Sequence, residues 1–141
     1  MVCLFGVVNH SFSFLFFFVV AFVIVSVNRY EIGEKYVQHH DYLHHQLHRD
    51  PGVRMLTVYM YLNDVVSDTT SGSTTTGGGD THFHDLGLSV QPKRGRVVIW
   101  PSVLDHNTSQ IDARTHHEAL PVEQGTKYGK YELLLQLHTY E

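Results

Sequence analysis

The stretch His39-His40-Asp41 sets two imidazoles and a carboxylate side by side, and these are ligand types for a divalent transition metal. On an extended chain residues i and i+2 share a face, so His39 and Asp41 can converge on one ion while His40 points away. On that geometry His40 is dispensable. A third ligand has to come from far along the chain, and His116 or His117, in "THHEALPVEQGTKY", offers one. Two imidazoles and one carboxylate on one side of an ion leave its other positions open to small molecules, which is the donor set of a non-haem Fe(II) centre. A competing arrangement uses other histidines. His40, His44 and His48 stand at i, i+4 and i+8, so a helix here would carry a stripe able to collect zinc or nickel without any catalysis. With 12 histidines in 141 residues, a His-rich metal-sequestering protein would bind several ions per chain.

Whatever positions these groups must be built from a chain long enough for one domain and one core. Its 10 Lys+Arg against 14 Asp+Glu give a formal charge of -4, with no basic run dense enough to track a phosphate backbone, so no nucleic-acid partner is expected. The single cysteine, Cys3, forms no internal disulfide. Residues 1 to 28 contain no Asp, Glu, Lys or Arg, and Phe12 to Val27 is almost wholly apolar. As a helix that segment spans roughly 24 Å, a little short of the ~20 residues that cross a bilayer, and the uncharged flank Val2 to Ser11 lengthens it. Arg29 and Lys35 follow it, the opposite polarity to a signal that sends the rest of the chain across a membrane. Its second half, "FVIVSVNRYE", is rich in β-branched residues and reads equally well as a strand. Residues 1–26 are thus expected to be an apolar leader, either a signal anchor or a first strand, ahead of a domain over 27–141. That leader sets the expectation of the endoplasmic reticulum or another secretory compartment, with membrane association through the apolar segment, and the sequons at Asn9 and Asn107 are glycosylated only if the chain enters that pathway.

Downstream the pattern is β. "RMLTVYMYLNDV" alternates with period two, placing Leu56, Val58, Met60 and Leu62 on one face and Thr57, Tyr59 and Tyr61 on the other. "LGLSVQP", "RVVIWPS" and "YELLLQLHTY" are further short runs of strand formers bounded by turn residues, and "ALPV" is strand-like. Between them, residues 67–79 form a low-complexity Thr/Ser/Gly loop. Short strands at this spacing, with no long helical period after residue 50, predict an antiparallel sandwich or jelly roll whose mouth holds a small ligand.

Five ordered motifs carry a family resemblance: "RYEIGEKYVQHHDY", "RMLTVYMYLNDV", "GGDTHF", "LSVQPKRGRVVIWPS" and "HEALPVEQGTKY". From about Val27 to the C-terminus the chain resembles the catalytic domain of prolyl 4-hydroxylases, within the 2-oxoglutarate and Fe(II)-dependent dioxygenases. The resemblance implies a mainly β, double-stranded β-helix (jelly roll) fold, here lacking the usual N-terminal helices. It implies an enzyme that uses Fe(II), 2-oxoglutarate and dioxygen, with ascorbate as reductant, to hydroxylate a proline-containing peptide or protein. Carried over position by position, it makes His39, Asp41 and His117 the iron ligands and catalytic centre. Lys127 pairs with the distal carboxylate of 2-oxoglutarate, assisted by Tyr30 and Thr81, while Tyr36 and Arg54 lie where the peptide approaches. His116 is then a neighbour of the site rather than a ligand, and Trp100 and Tyr61 belong to the core.

Three departures from the family pattern stand out. Asp80 replaces the usual Glu in "GGET", one methylene shorter; the loop from Ser67 to Gly77 looks like an insertion; and Leu133 and Leu135 occupy the last barrel strand where the family carries a Trp and then a His. These departures support a second expectation, a catalytically impaired, truncated remnant or binding module that keeps the metal triad without a competent substrate groove.

Overall fold

The computed structural model describes residues 3–5, 23–46, 52–66 and 77–135. Strands there are β1 (Cys3–Phe5), β2 (Val23–Tyr30), β3 (Tyr36–His39), β4 (Arg54–Tyr61), β5 (Thr81–Phe83), β6 (Leu88–Val90), β7 (Val97–Pro101), β8 (Val103–Leu104), β9 (Asn107–Ile111), β10 (His117–Ala119) and β11 (Lys127–Leu135). Only single 3-10 turns, His44–Gln46 and Ala113–Thr115, interrupt them. Five strands form one antiparallel sheet in the order β1-β7-β4-β11-β2, and four form a second in the order β3-β10-β5-β6. A two-stranded ribbon, β8-β9, completes the described part. This is the jelly-roll architecture that the short, evenly spaced strands predict.

The core lies between the two large sheets. Tyr59, Tyr61, Phe83, Val90, Val98 and Trp100 form one buried cluster, and a smaller one joins Tyr42, Val53 and Val103 under the ribbon. In β4 the alternation holds, but its inward face is Thr57, Tyr59 and Tyr61, while Leu56, Val58 and Met60 are only half-buried on the other side. Hydroxyls and aromatic rings therefore face the interior, an arrangement that stands only where each hydroxyl finds a partner or a ligand.

β2 pairs with β11 along its whole length, from Val23 opposite Leu134 to Tyr30 opposite Lys127. The strand reading of Val23 to Val27 is thus met, and β2 starts inside the expected leader. Residues 6–22, including Phe12 to Phe22 of the membrane candidate Phe12 to Val27, lie outside the described residues, as do 67–76 of the low-complexity loop and His48. Among the described residues no helix is long and apolar enough to cross a membrane. One strand boundary differs from expectation. The strand near the second histidine pair is His117–Ala119 rather than "ALPV": Pro121 offers no N–H to a ladder, and Val122 makes only isolated bridges to Ile32 and Gly78.

Candidate functional site

β3 and β10 are antiparallel neighbours, and their register sets His117 opposite His39. Asp41 follows at the bend just after β3, on the same side as His39. The ligand atoms of His39, Asp41 and His117 all lie within 4.8 Å of one another, the one such cluster among the described residues. His39 Nε2 stands 3.6 Å from Asp41 Oδ1 and His117 Nε2 3.9 Å from Asp41 Oδ2. In each ring Nδ1 donates to a carbonyl two residues back, Val37 O for His39 and Thr115 O for His117, both at 2.9 Å. A carbonyl only accepts, so Nδ1 carries the proton and Nε2 offers its lone pair to the cluster.

Asp41 is held from three sides. Oδ2 accepts from Thr57 Oγ1 at 2.6 Å and Trp100 Nε1 at 3.0 Å, and Oδ1 accepts from the Tyr131 hydroxyl. Thr57 and Trp100 are direct cross-strand partners on β4 and β7, which is why both reach one oxygen. Two donors saturate Oδ2, whereas Oδ1 keeps a lone pair for a cation. Burial raises the carboxyl's pKa, but His117, the Thr57 and Tyr131 hydrogen bonds and His39 together outweigh it, and the net shift is downward. Burial pushes His117 down to about 4 against the pull of Asp41. At neutral pH the cluster therefore presents an ionised carboxylate beside a neutral His117, the protonation states that bind a metal. Tyr131, raised by burial and by the Asp41 charge, stays protonated and donates.

Beside the cluster opens a cavity of about 390 Å³, lined by both sheets. Lys127, 1% exposed, reaches into it from β11. Its Nζ donates to Gly79 O at 2.6 Å and lies 5.3 to 5.5 Å from the ring centres of Tyr30, Tyr59 and Tyr61. Burial lowers its pKa to about 8, with Asp80 pulling the other way. The Gly79 carbonyl reaches Lys127 because Gly78 and Gly79 both adopt positive φ, 75° and 77°, and because a Cβ on Gly78 would stand 2.5 Å from Pro121 O. Thr81, the first residue of β5, lines the same cavity and shares a 2.7 Å hydrogen bond with the Tyr61 hydroxyl, which also lies 3.0 Å from Val90 O.

One observation asks for a ligand. The Tyr59 hydroxyl is buried without a hydrogen-bond partner. Burial also raises its pKa, keeping the proton on. An ammonium with one of its three N–H bonds used inside the protein and an unpartnered phenol suit a carboxylate-bearing co-substrate. Toward the mouth, Tyr36 is 52% exposed and packs edge-on against His39 with ring centres 4.3 Å apart, and Arg54 lines the cavity with its Nε buried and unpartnered.

Every expected site residue thus faces one cavity. The sequence reading placed Trp100 and Tyr61 in the core, and both are buried there; it did not find that Trp100 grips Asp41 or that Tyr61 holds Thr81. Thr57, Tyr59 and Tyr131 were missed as site residues, although period two puts Tyr131 on the face of Lys127 and sets Thr57 and Tyr59 opposite the aliphatic face of β4. His116 donates Nδ1–H to Ala113 O at 2.8 Å and is no part of the cluster. His44 and His45 are exposed on a 3-10 turn, so among the described residues no α-helix carries His40 and His44 as a stripe.

Gly129 is a further device of the site. It sits between Lys127 and Tyr131 on the inward face of β11, and a Cβ there would stand 1.9 Å from the Tyr59 oxygen. Tyr59 cannot swing clear, because its ring packs edge-on to Tyr61 and Tyr131. Gly129→Ala is expected to destabilise the fold by about 1–3 kcal/mol, as overpacking does, and to weaken carboxylate binding in the cavity by disturbing Tyr59. Thermal unfolding together with calorimetric titration of a dicarboxylate ligand reads both effects.

Comparison with known proteins agrees with this geometry. Residues 25–131 match the family described as the 2OG-Fe(II) oxygenase superfamily. The chain is 31% identical over 137 residues to probable prolyl 4-hydroxylase 10 of Arabidopsis thaliana, covering 83% of this chain and 43% of that protein. It is 30% identical over 108 residues to prolyl 4-hydroxylase subunit alpha-2 of Gallus gallus, covering 74% of this chain and 18% of that protein. It therefore spans less than half the length of either. Among solved structures, the viral collagen prolyl hydroxylase of Paramecium Bursaria Chlorella virus-1, in complex with 2OG, superposes with a TM-score of 0.65 at 27% identity, over 84% of this chain and 62% of that one. With the triad, the lysine-floored cavity and this match over most of its length, the chain belongs to the 2OG-Fe(II) oxygenase superfamily.

Proposed function

We propose that this chain is a 2-oxoglutarate- and Fe(II)-dependent dioxygenase that hydroxylates a prolyl residue of a peptide or protein, with ascorbate as reductant. The observation that carries the proposal is the convergence of His39, Asp41 and His117 at a cavity whose other wall holds Lys127. Iron bound there supplies oxygen activation coupled to decarboxylation of 2-oxoglutarate, in which one oxygen atom of O2 goes to succinate and the other to the substrate C–H bond. The chain's own work is to bind, orient and shield. Lys127, Tyr59 and Thr81 hold the distal carboxylate, Tyr30 closes the pocket over the lysine, and the hydroxyls of Thr57 and Tyr131 with the Trp100 indole fix Asp41. Tyr36 and Arg54, at the mouth, are placed to meet the peptide. The relatives named for prolyl hydroxylation support proline as the target.

The test is incubation with Fe(II), 2-oxoglutarate, ascorbate and a proline-rich peptide, followed by mass spectrometry. The expected result is one added oxygen on a prolyl residue, with succinate formed in equal amount. A peptide left unchanged while metal and 2-oxoglutarate still bind would overturn the proposal in favour of a binding module or impaired remnant.

A further inference from the structure

His40 faces away from the triad, as the alternation requires, yet it is not a free surface side chain. Its Nε2 lies 3.0 Å from Asp112 O and 3.2 Å from Thr115 Oγ1, and its Nδ1 accepts from the Tyr42 backbone N–H at 3.0 Å. Because Tyr42 N–H is a donor and Asp112 O an acceptor, the ring has to be neutral with its proton on Nε2. The His116 ring packs edge-on against it at 4.9 Å. Burial, the largest influence, lowers its pKa despite the hydrogen bond to Asp112 O, in keeping with the neutral form.

The segment it reaches is the one that aims His117. Asp112 caps the 3-10 turn Ala113–Thr115, and its carbonyl also accepts from Thr115 N at 3.0 Å and Thr115 Oγ1 at 2.9 Å. The carbonyl of the same Thr115 receives His117 Nδ1–H. One imidazole, flanked by two candidate ligands in the chain, is therefore bonded to a turn 72 residues away that sets the third. β10 pairs in unbroken register with β5, His117 opposite Phe83, whereas its pairing with β3 shifts register between His117 and Ala119, so the irregular ladder is the one on the His39 side.

We propose that His40 is a positioning residue for the metal centre: its Nε2–H bond to the Asp112–Thr115 turn sets the spacing of His117 from His39 and Asp41. The inference rests on the triad being the metal site. It reverses the expectation that His40 is dispensable.

The chemistry of the ring suggests the experiment, because its two ends can be mimicked separately. The amide of Gln can replace the Nε2–H donor to Asp112 O; the shorter Asn can replace only the Nδ1 acceptor for Tyr42 N–H. Co(II) serves as the probe, with its visible absorption followed during titration of the metal-free full chain. Relative to wild type, His40→Ala and His40→Asn are expected to bind Co(II) about tenfold more weakly, the lower end of what loss of an outer partner of a metal ligand costs, with a shifted visible band. His40→Gln is expected to stay within about threefold, with the wild-type band. Where the alanine variant fails to fold by circular dichroism, the Asn and Gln pair decides. The proposal is overturned if His40→Ala or a folded His40→Asn binds as tightly as wild type, or if His40→Gln falls with them. Absence of Co(II) binding by the wild type would instead sink the metal-site reading itself, so the two failures are distinguishable.

Discussion

Lys127→Ala raises the KM for 2-oxoglutarate by about 100-fold while leaving metal affinity within a few-fold of wild type. Removing one partner of a buried charge pair costs about 2–5 kcal/mol, and each 1.4 kcal/mol is tenfold in affinity. Lys127 makes no contact with the triad, so the ligands stay in place. Its pH behaviour is a second handle. Without ligand the ammonium is lowered from 10.5 to about 8 by burial. Between those values the unfolded chain binds more protons than the folded one, so this group makes the ligand-free protein more stable as pH rises through that window. Affinity for the carboxylate runs the other way. It is full below about 8 and falls above it, because the neutral amine must then take up a proton to pair. Isothermal titration of 2-oxoglutarate from neutral to alkaline pH reads this directly. Lys127→Arg, charged throughout, is expected to lose the pH dependence and still bind poorly, since a planar fork does not fit a place shaped for a point charge among three tyrosine rings. Equal losses of metal and 2-oxoglutarate in Lys127→Ala would contradict its role.

Asp41→Asn is expected to abolish iron-dependent turnover as fully as His39→Ala, to below about 1% of wild type, and to cost stability that His39→Ala does not. Three donors converge on Asp41, from Thr57, Trp100 and Tyr131. A carboxylate accepts them all; a carboxamide offers one oxygen and turns its NH2 against at least one donor, leaving a buried polar group unpaired at about 1–3 kcal/mol. His39 makes one hydrogen bond, to the carbonyl of Val37, and packs partly buried against the Tyr36 and His117 rings, so its loss removes a ligand without leaving a buried donor unpaired. Succinate assays and thermal melts on the two variants separate ligand loss from network loss.

How the sequence relates to this site can be followed residue by residue. The convergence of His39 and Asp41 was legible because they stand two apart on an extended segment, and His117 was chosen over His116 on the resemblance carried by "HEALPVEQGTKY". The strands of Arg54 to Tyr61 and Val97 to Pro101 were legible from alternation and β-branched content. That Thr57 and Tyr59, on the same face as Tyr61, serve a ligand cavity was not. Burial rules favour Leu56, Val58 and Met60, but the interior here is a ligand cavity that needs Thr57 and Tyr59. The partners of Asp41 were hidden for another reason: Thr57, Trp100 and Tyr131 meet only through the β4-β7 and β4-β11 registers, and long-range register is not written in any local pattern. His40 shows the same limit. Alternation says which way it points, and nothing near it in sequence announces a turn 72 residues on.

The number of Fe(II) ions bound per chain, measured by anaerobic equilibrium dialysis on the wild type and on His117→Ala, tests the central claim most directly. His117 is 4% exposed and its Nε2 has no role besides closing the cluster. One tightly held ion in the wild type and none in the variant is the predicted result. Several ions per chain, or an ion that survives His117→Ala unchanged, would contradict the account and return the histidines of residues 39 to 48 to a metal-collecting role.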